Sequence, residues 1–252
     1  MRLDAANPAL NSFRSGAMDI HRSTPFAHAP AAVALLLGLA AFAFWVPYFS
    51  QLPAASRYVH FHVVTMVAWM GLLIAQPLLM RAGRVDLHRK FGRTTYLLMP
   101  LIVICGILPA HHRLSQPGQI DQPGMLQLLV LQLVSPLLMV GFYAMALLNR
   151  RTAAVHARWM LATAILLIDP IVARILIFQF PAYAEAAEWL GPVLACGLTV
   201  GLIFAERNAT AGRRVFPVVL GCLLLQQTLF YALGLSDLWR RFALWFIALP
   251  LT

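Results

Sequence analysis

Long apolar runs alternate with short polar segments along most of the chain. Apolar runs of about 19–26 residues lie at 31–49, 59–80, 91–110, 125–148, 155–180, 187–205 and 215–235. A helix of about 20 residues is long enough to cross a hydrocarbon core of about 30 Å. The runs lack the strict alternation of transmembrane barrel strands. The pattern predicts an all-α polytopic membrane bundle with about seven transmembrane helices.

The two ends of the chain differ from this pattern. Residues 1–29 are mixed and polar, and we interpret them as a cytoplasmic N-terminal tail preceding a single transmembrane domain at 30–252. The run at 31–49 does not resemble a signal peptide, because its leader and its apolar core are too long and no small-x-small cleavage site follows. The last apolar stretch, 242–251, is too short to span and is predicted to be interfacial or re-entrant.

Composition supports a lipid environment. Hydrophobic residues make up 61% of the chain and charged residues 11%, against about 45–50% and about 25% in soluble domains. The formal charge of +10 would suggest a nucleic-acid partner in a soluble protein. Here the basic residues lie in short segments between apolar runs, as topology signals do. We therefore expect the lipid bilayer as a partner and no nucleic acid.

The basic residues also predict an orientation. Fourteen of the 19 lie in the N-terminal tail, in the segments that follow the second, fourth and sixth runs, or within four residues of the start of the next run. Cytoplasmic segments carry the excess of lysine and arginine. The N-terminus is therefore predicted inside and the C-terminus outside, in a multi-pass protein of a bacterial inner membrane. The five remaining basic residues are Arg57, Arg113, Arg174, Arg240 and Arg241.

Six histidines lie at the ends of predicted spans and form two layers. The outer layer holds His60, His62, His111 and His112, and the inner layer holds His88 and His156. Imidazoles from different helices at one depth suit a bis-histidine haem or a metal centre. Histidines at helix ends also meet headgroups or cap the helix, and that ordinary interpretation stays open.

Helical geometry narrows the outer candidates. His60 and His62 are two residues apart and point about 200° apart on a helix. We select His62 to face the bundle, because Met66 and Trp69 continue its stripe at helical spacing. The sequence does not separate His111 from the adjacent His112.

The fifth predicted span contains two charged residues, Asp169 and Arg174, and Pro170 follows the carboxylate directly. Charges in a bilayer are costly and usually face a partner or a cavity. A proline in a helix frees a carbonyl of the preceding turn. The pattern indicates a functional site, with a structural ion pair or an outward-snorkelling Arg174 as the alternative.

Short motifs at 58–62, 68–69 and 87–93, which read YVHFH, AW and LHRKFGR, resemble a family of uncharacterised bacterial multi-pass membrane proteins. More remotely, they are similar to the transmembrane b-type cytochromes, which hold two haems in a four-helix bundle. In those proteins a histidine opens one span, Ala-Trp follows, and His-Arg opens the next span. The resemblance covers about residues 58–160.

The resemblance implies haem b ligands. His62 (or His60) and His88 match two ligand positions, and His156 fits the inner partner of His88. The fourth ligand should lie in the span at 125–148, which has no histidine, so only His111 or His112 could replace it. Arginines that would pair with the haem propionates are Arg89, Arg93 and Arg174.

Three functions follow as hypotheses. The first is electron transfer through b-type haem, with a quinone or another redox partner. The second is a zinc or copper site at the outer face, for metal binding or hydrolysis, formed by His60, His62, His111 and His112, together with Asp121. The third is a cofactor-free transporter or assembly factor with a path lined by Asp169 and Arg174. Whether the chain is an enzyme, and its oligomeric state, stay open.

Overall fold

The structure is a computed structural model that describes residues 27–252, and the regular elements of that range are helical. Most of the predicted N-terminal tail, residues 1–26, lies outside the described residues. The α-helices are α1 Ala29–Ala43, α2 Arg57–Arg81, α3 Val85–Leu114, α4 Met125–Leu148, α5 Ala153–Ile165, α6 Ile168–Arg174, α7 Ala187–Ala205, α8 Val215–Ala232 and α9 Asp237–Ile247. Short 3-10 turns occupy Phe49–Ala54, Gln119–Asp121 and Pro181–Ala186, and a π-helical turn occupies Ile175–Gln179.

Among residues 27–252, six helical segments are long and apolar enough to cross a membrane, which confirms the polytopic helical bundle. They are Arg57–Arg81, Val85–Leu114, Met125–Leu148, Ala153–Gln179, Pro181–Ala205 and Val215–Ala232. The first apolar run forms the 15-residue helix α1, which rises only about 22 Å. A seventh span and the inside-to-outside orientation stay predictions.

Helices α2 to α5 pack in sequence around a fully buried tryptophan. The indole Nε1 of Trp69 donates to Oγ1 of Thr163 at 3.3 Å, and its ring meets Tyr143 edge-on. The hydroxyl of Tyr143 is hydrogen-bonded to Thr95 at 2.7 Å. Each of these four residues comes from a different helix, α2, α5, α4 and α3 in that order. The network therefore satisfies the buried polar groups and fixes the register of the four helices.

Helices α7 and α8 form a second layer against α4, α5 and α6, while α1 packs on α2 and α6. At the predicted inner end, Arg158 of α5 and Glu206, just after α7, form a buried ion pair with Nε and Oε2 2.5 Å apart. Gly212, at φ +82°, lies directly against the Arg158 side chain. This pair ties the loop between α7 and α8 to the start of the fifth span.

The C-terminal apolar stretch belongs to an amphipathic helix that begins earlier than predicted. Helix α9 runs from Asp237 to Ile247, and Oγ of Ser236 caps it by accepting from the Trp239 amide. Its start was missed because polar residues such as Arg240 and Arg241 interrupt the apolar run. The Trp239 indole donates to the Leu126 carbonyl at 2.8 Å, so α9 is fixed to the start of α4. Its interfacial position stays a prediction.

Candidate functional site in the fifth span

The fifth span is a discontinuous helix. Helix α5 ends at Ile165, α6 begins at Ile168, and the span finishes in the π-helical turn Ile175–Gln179. Pro170 has no amide hydrogen for the Leu166 carbonyl four residues earlier. No backbone N–H in the described range donates to that carbonyl. Pro170 therefore interrupts the helical hydrogen bonding in the middle of an apolar segment.

Asp169 lies at this break and packs against α7. Gly191 approaches so closely that an added Cβ would lie 2.5 Å from Oδ1 of Asp169 and 2.9 Å from its carbonyl oxygen. Within residues 27–252, no hydrogen bond reaches the carboxylate, and no ion pair within 4 Å neutralises it. The carboxylate is thus placed among helices without a direct partner.

Arg174 is the second charge of the span. Its Nη1 donates to the Pro170 carbonyl at 3.0 Å, and its guanidinium lies over the Phe44 ring, 5.1 Å from the centroid. The part of the chain that the structure describes places no carboxylate within 4 Å of it, so the alternative of a direct ion pair with Asp169 is not realised. The bond to Pro170 is the hydrogen bond that the guanidinium makes among residues 27–252.

His62 belongs to the same region, whereas His60 does not. Nδ1 of His62 donates to the Cys105 carbonyl at 3.1 Å, and the ring lies within electrostatic range of Arg174. His60 instead forms a 2.8 Å hydrogen bond with the Tyr48 hydroxyl. The two imidazoles point to different neighbours, as the 200° separation on the helix requires.

A small cavity adjoins the break in the fifth span. Its volume is about 10 Å³, which is room for about one water molecule. Gln226 of α8 lines it and is 4% exposed, and Oε1 of this side chain is buried without a hydrogen-bond partner. Lining residues from the other helices include Leu166, Asp169 and Cys196. Nothing in the sequence distinguishes Gln226 from the other glutamines of the apolar runs.

The predicted inner ligand His88 is hydrogen-bonded to a glutamine of α2. In the amide orientation that satisfies its neighbours, the Gln76 side-chain nitrogen lies 2.5 Å from Nδ1 of His88, and its oxygen accepts from the Gly92 amide. Nδ1 of His88 is therefore an acceptor, so a neutral ring carries its proton on Nε2. Arg89 and Arg93 are exposed on the following turns.

The other predicted inner ligand, His156, has the opposite arrangement. Its Nδ1 donates to the Ala146 carbonyl at 2.9 Å. A neutral ring held in this way presents the Nε2 lone pair, as metal-ligating histidines do. The hydrogen bond between Trp69 and Thr163 puts these two residues at one depth in antiparallel helices. Gln76 lies seven residues after Trp69, and His156 lies seven residues before Thr163. His156 is therefore at the depth of Gln76, which contacts His88.

The outer histidines of α3 contact other partners than His62. His111 is 1% exposed, and it packs edge-on against Phe246 of α9. Its Nδ1 is hydrogen-bonded to Thr252 Oγ1 at 2.7 Å, while Nε2 has no partner. His112 lies beside the Tyr58 ring. Across the described range, no group of three or more histidine, cysteine or acidic side chains could hold a metal ion.

The bis-histidine haem that the resemblance implies stays a prediction, and the candidate ligands differ in whether Nε2 is available. Such a haem needs two imidazoles that present Nε2 lone pairs toward each other. His156 meets this requirement, but His88 does not while Gln76 donates to its Nδ1. His62 is bonded to the Cys105 carbonyl of α3, whereas His111 of the same helix packs against Phe246 of α9.

Comparison with known proteins adds no relative: no protein-family model, curated protein or solved structure matches the chain. The resemblance to b-type cytochromes therefore stays an expectation from short motifs. What stands is an integral, multi-pass helical membrane protein with a polar site in a broken span.

Proposed function

We propose that the chain is a membrane transport protein whose discontinuous fifth span binds a small carboxylate-bearing solute. The observation that carries the proposal is the coincidence of the helix break with Asp169 and Arg174, which have no ion-pair partner within 4 Å among the described residues. Non-helical backbone at membrane depth is tolerated where it is buried in protein or lines a cavity. Transporters use such broken helices to bind solutes and coupling ions.

Arg174 supplies the recognition chemistry. A guanidinium presents several N–H donors in a plane and binds carboxylates through two parallel hydrogen bonds. One donor is held by the Pro170 carbonyl, and the contact with Phe44 orients the group. The rest of the fork stays free for the solute. The π-helical turn that follows Arg174 supports the proposal, because π turns occur frequently at functional sites.

Uptake into proteoliposomes tests this function. The purified protein is reconstituted, and uptake of radiolabelled acetate, lactate and succinate is compared with protein-free vesicles. We expect uptake of at least one of them, reduced about tenfold or more by Arg174→Gln and by Asp169→Asn. Arg240→Gln and Glu188→Gln, which change exposed charges, serve as matched controls and should transport normally. Absence of uptake of all three solutes, or equal uptake by the Arg174 variant, would refute the proposal.

Electron transfer through a b-type haem, with a quinone as the redox partner, is the second candidate. One observation favours it, namely the hydrogen bond from His156 Nδ1 to the Ala146 carbonyl, which leaves Nε2 free to ligate iron. The hydrogen bond that His88 accepts from Gln76 opposes it. We therefore rank it below transport.

A further inference from the structure

The cavity beside the helix break is lined by residues that contribute oxygen acceptors from two elements. The fifth span contributes the Leu166 carbonyl, which Pro170 leaves without its helical donor, and the Asp169 carboxylate. Helix α8 contributes Gln226, whose Oε1 is buried without a partner. An unpaired buried acceptor costs about 1–3 kcal/mol. Within the described residues, no hydrogen-bond donor reaches the Leu166 carbonyl or Gln226 Oε1, and no cation lies within 4 Å of the Asp169 carboxylate.

A small cation is coordinated by such oxygens, and a proton on Asp169 together with one water supplies donors for the other two acceptors. Carbonyl, amide and carboxylate oxygens are the ligands of hard cations, and unwound carbonyls coordinate Na⁺ or H⁺ in transporters with broken helices. The cavity holds about one water molecule, so it suits a bare small ion or a proton with one water. Arg174 lies within electrostatic range of Asp169, but no ion pair within 4 Å joins them in the described range.

We infer that the cavity formed by Leu166, Asp169 and Gln226 is a binding site for a small monovalent cation, either H⁺ or Na⁺. The inference deepens the proposed transport function and rests on it for the role of the ion, which would be coupling to solute movement. In the proton case, hydronium transfers its proton to the Asp169 carboxylate. The products are a neutral carboxylic acid and one water, and the acid then donates to Gln226 directly or through that water.

Two measurements on the detergent-solubilised full chain, without any carboxylate solute, distinguish the ions. Infrared spectra record the C=O stretching band of protonated carboxylic acids with and without NaCl. Scintillation proximity binding of ²²Na⁺, with KCl as competitor control, records sodium. The variants are Asp169→Asn, Gln226→Leu and the conservative Gln226→Glu. The matched control is Thr228→Val, which removes an exposed hydroxyl bonded only within α8.

For a proton site, we expect a carboxylic acid band that Asp169→Asn removes and NaCl leaves unchanged. Gln226→Leu should move this band to higher frequency because the acid loses an acceptor. For a sodium site, we expect ²²Na⁺ binding that Asp169→Asn abolishes, Gln226→Leu weakens about tenfold or more, and Gln226→Glu retains. In that case NaCl also suppresses the acid band.

The inference is overturned if wild-type protein has neither the acid band nor bound ²²Na⁺, or if the signal seen in the wild type survives in Asp169→Asn. Melting curves of each variant identify loss of fold, and the single-atom Asp169→Asn change keeps the test valid if Gln226→Leu unfolds. Because binding is measured without solute, it can succeed where uptake fails. Solute uptake without cation binding would support the proposed transport function and refute only the inferred cation site.

Discussion

Gly191 of α7 touches Asp169 of α6 at the point where the fifth span is broken. A methyl group at Gly191 would lie 2.5 Å from the carboxylate and 2.9 Å from the backbone of Asp169. No real Cβ contact is that short, so one of the two helices would have to move. Glycine here sets the distance between α6 and α7 rather than a backbone angle.

Gly191→Ala should therefore destabilise the protein by about 1–3 kcal/mol through overpacking and should weaken cation binding at Asp169. Differential scanning fluorimetry and the ²²Na⁺ or infrared assay measure the two effects. Gly197→Ala is the matched control on the same helix, because nothing lies within 4 Å of its added methyl. Equal melting temperatures for the two variants would contradict the close approach of α6 and α7.

The buried pair Arg158–Glu206 leads to a stability prediction. Removing one partner of a buried ion pair leaves an uncompensated charge and costs about 3–5 kcal/mol, so Glu206→Leu should lower the unfolding midpoint strongly. The double variant Arg158→Met, Glu206→Leu should recover most of the loss, since it leaves no buried charge. Asp121→Asn, which breaks the exposed pair with Arg240, should cost at most about 1 kcal/mol. An unchanged midpoint for Glu206→Leu would show that the pair is not buried.

Orientation is tested by cysteine accessibility in intact cells. In a background with Cys105, Cys196 and Cys222 replaced, single cysteines are placed at the exposed positions Gln116 and Thr152. A membrane-impermeant maleimide should label Gln116→Cys directly and Thr152→Cys only after permeabilisation. The reverse result would invert the topology.

The same assay decides whether α1 spans the membrane. If α1 crosses, a cysteine at Ser15 lies inside and is protected in intact cells. We expect protection, because the tail carries arginines that favour the cytoplasm. Labelling of Ser15→Cys together with Gln116→Cys would place both segments outside and reduce the bundle to six spans.

Absorbance spectroscopy separates the two candidate functions. Because His88 accepts at Nδ1, we expect protein purified from haem-supplemented cells to lack a Soret band that shifts on reduction. A stoichiometric band that shifts on reduction and is lost in His156→Ala, with His28→Ala as the control, would instead establish electron transfer. Such a result would require Gln76 to release His88.

The apolar runs were sufficient to predict the bundle because each span is a local feature. The predicted run at 125–148 coincides with α4, and the predicted span at 91–110 lies inside the longer α3, Val85–Leu114. Hydropathy finds only the apolar part of a helix, and α3 continues through polar residues at both ends. Asp169 and Arg174 were also recognisable locally, since a charge in an apolar run stands out in the sequence.

Partners were less predictable, because they depend on how each helix rotates against its neighbours. Nothing local indicates that Gln76 would reach His88, that Glu206 would meet Arg158, or that Gln226 would line a cavity with Asp169. The two histidine layers were inferred from depth alone. Equal depth does not decide which neighbour an imidazole meets: His62 bonds to the Cys105 carbonyl of α3, and His111 packs against Phe246 of α9.

The six membrane-long helical segments differ greatly in length, and the surrounding lipid must adapt to the longest and the shortest of them. Helix α3 has 30 residues and rises about 45 Å, whereas α8 has 18 residues and rises about 27 Å. A hydrocarbon layer of about 30 Å matches α8 closely, but α3 must tilt or project from it. Acyl chains longer than average would stretch past the ends of α8, the helix that carries Gln226. Bilayer thickness therefore acts on the helix that carries this glutamine. Lipids of graded chain length should change solute uptake by the reconstituted protein.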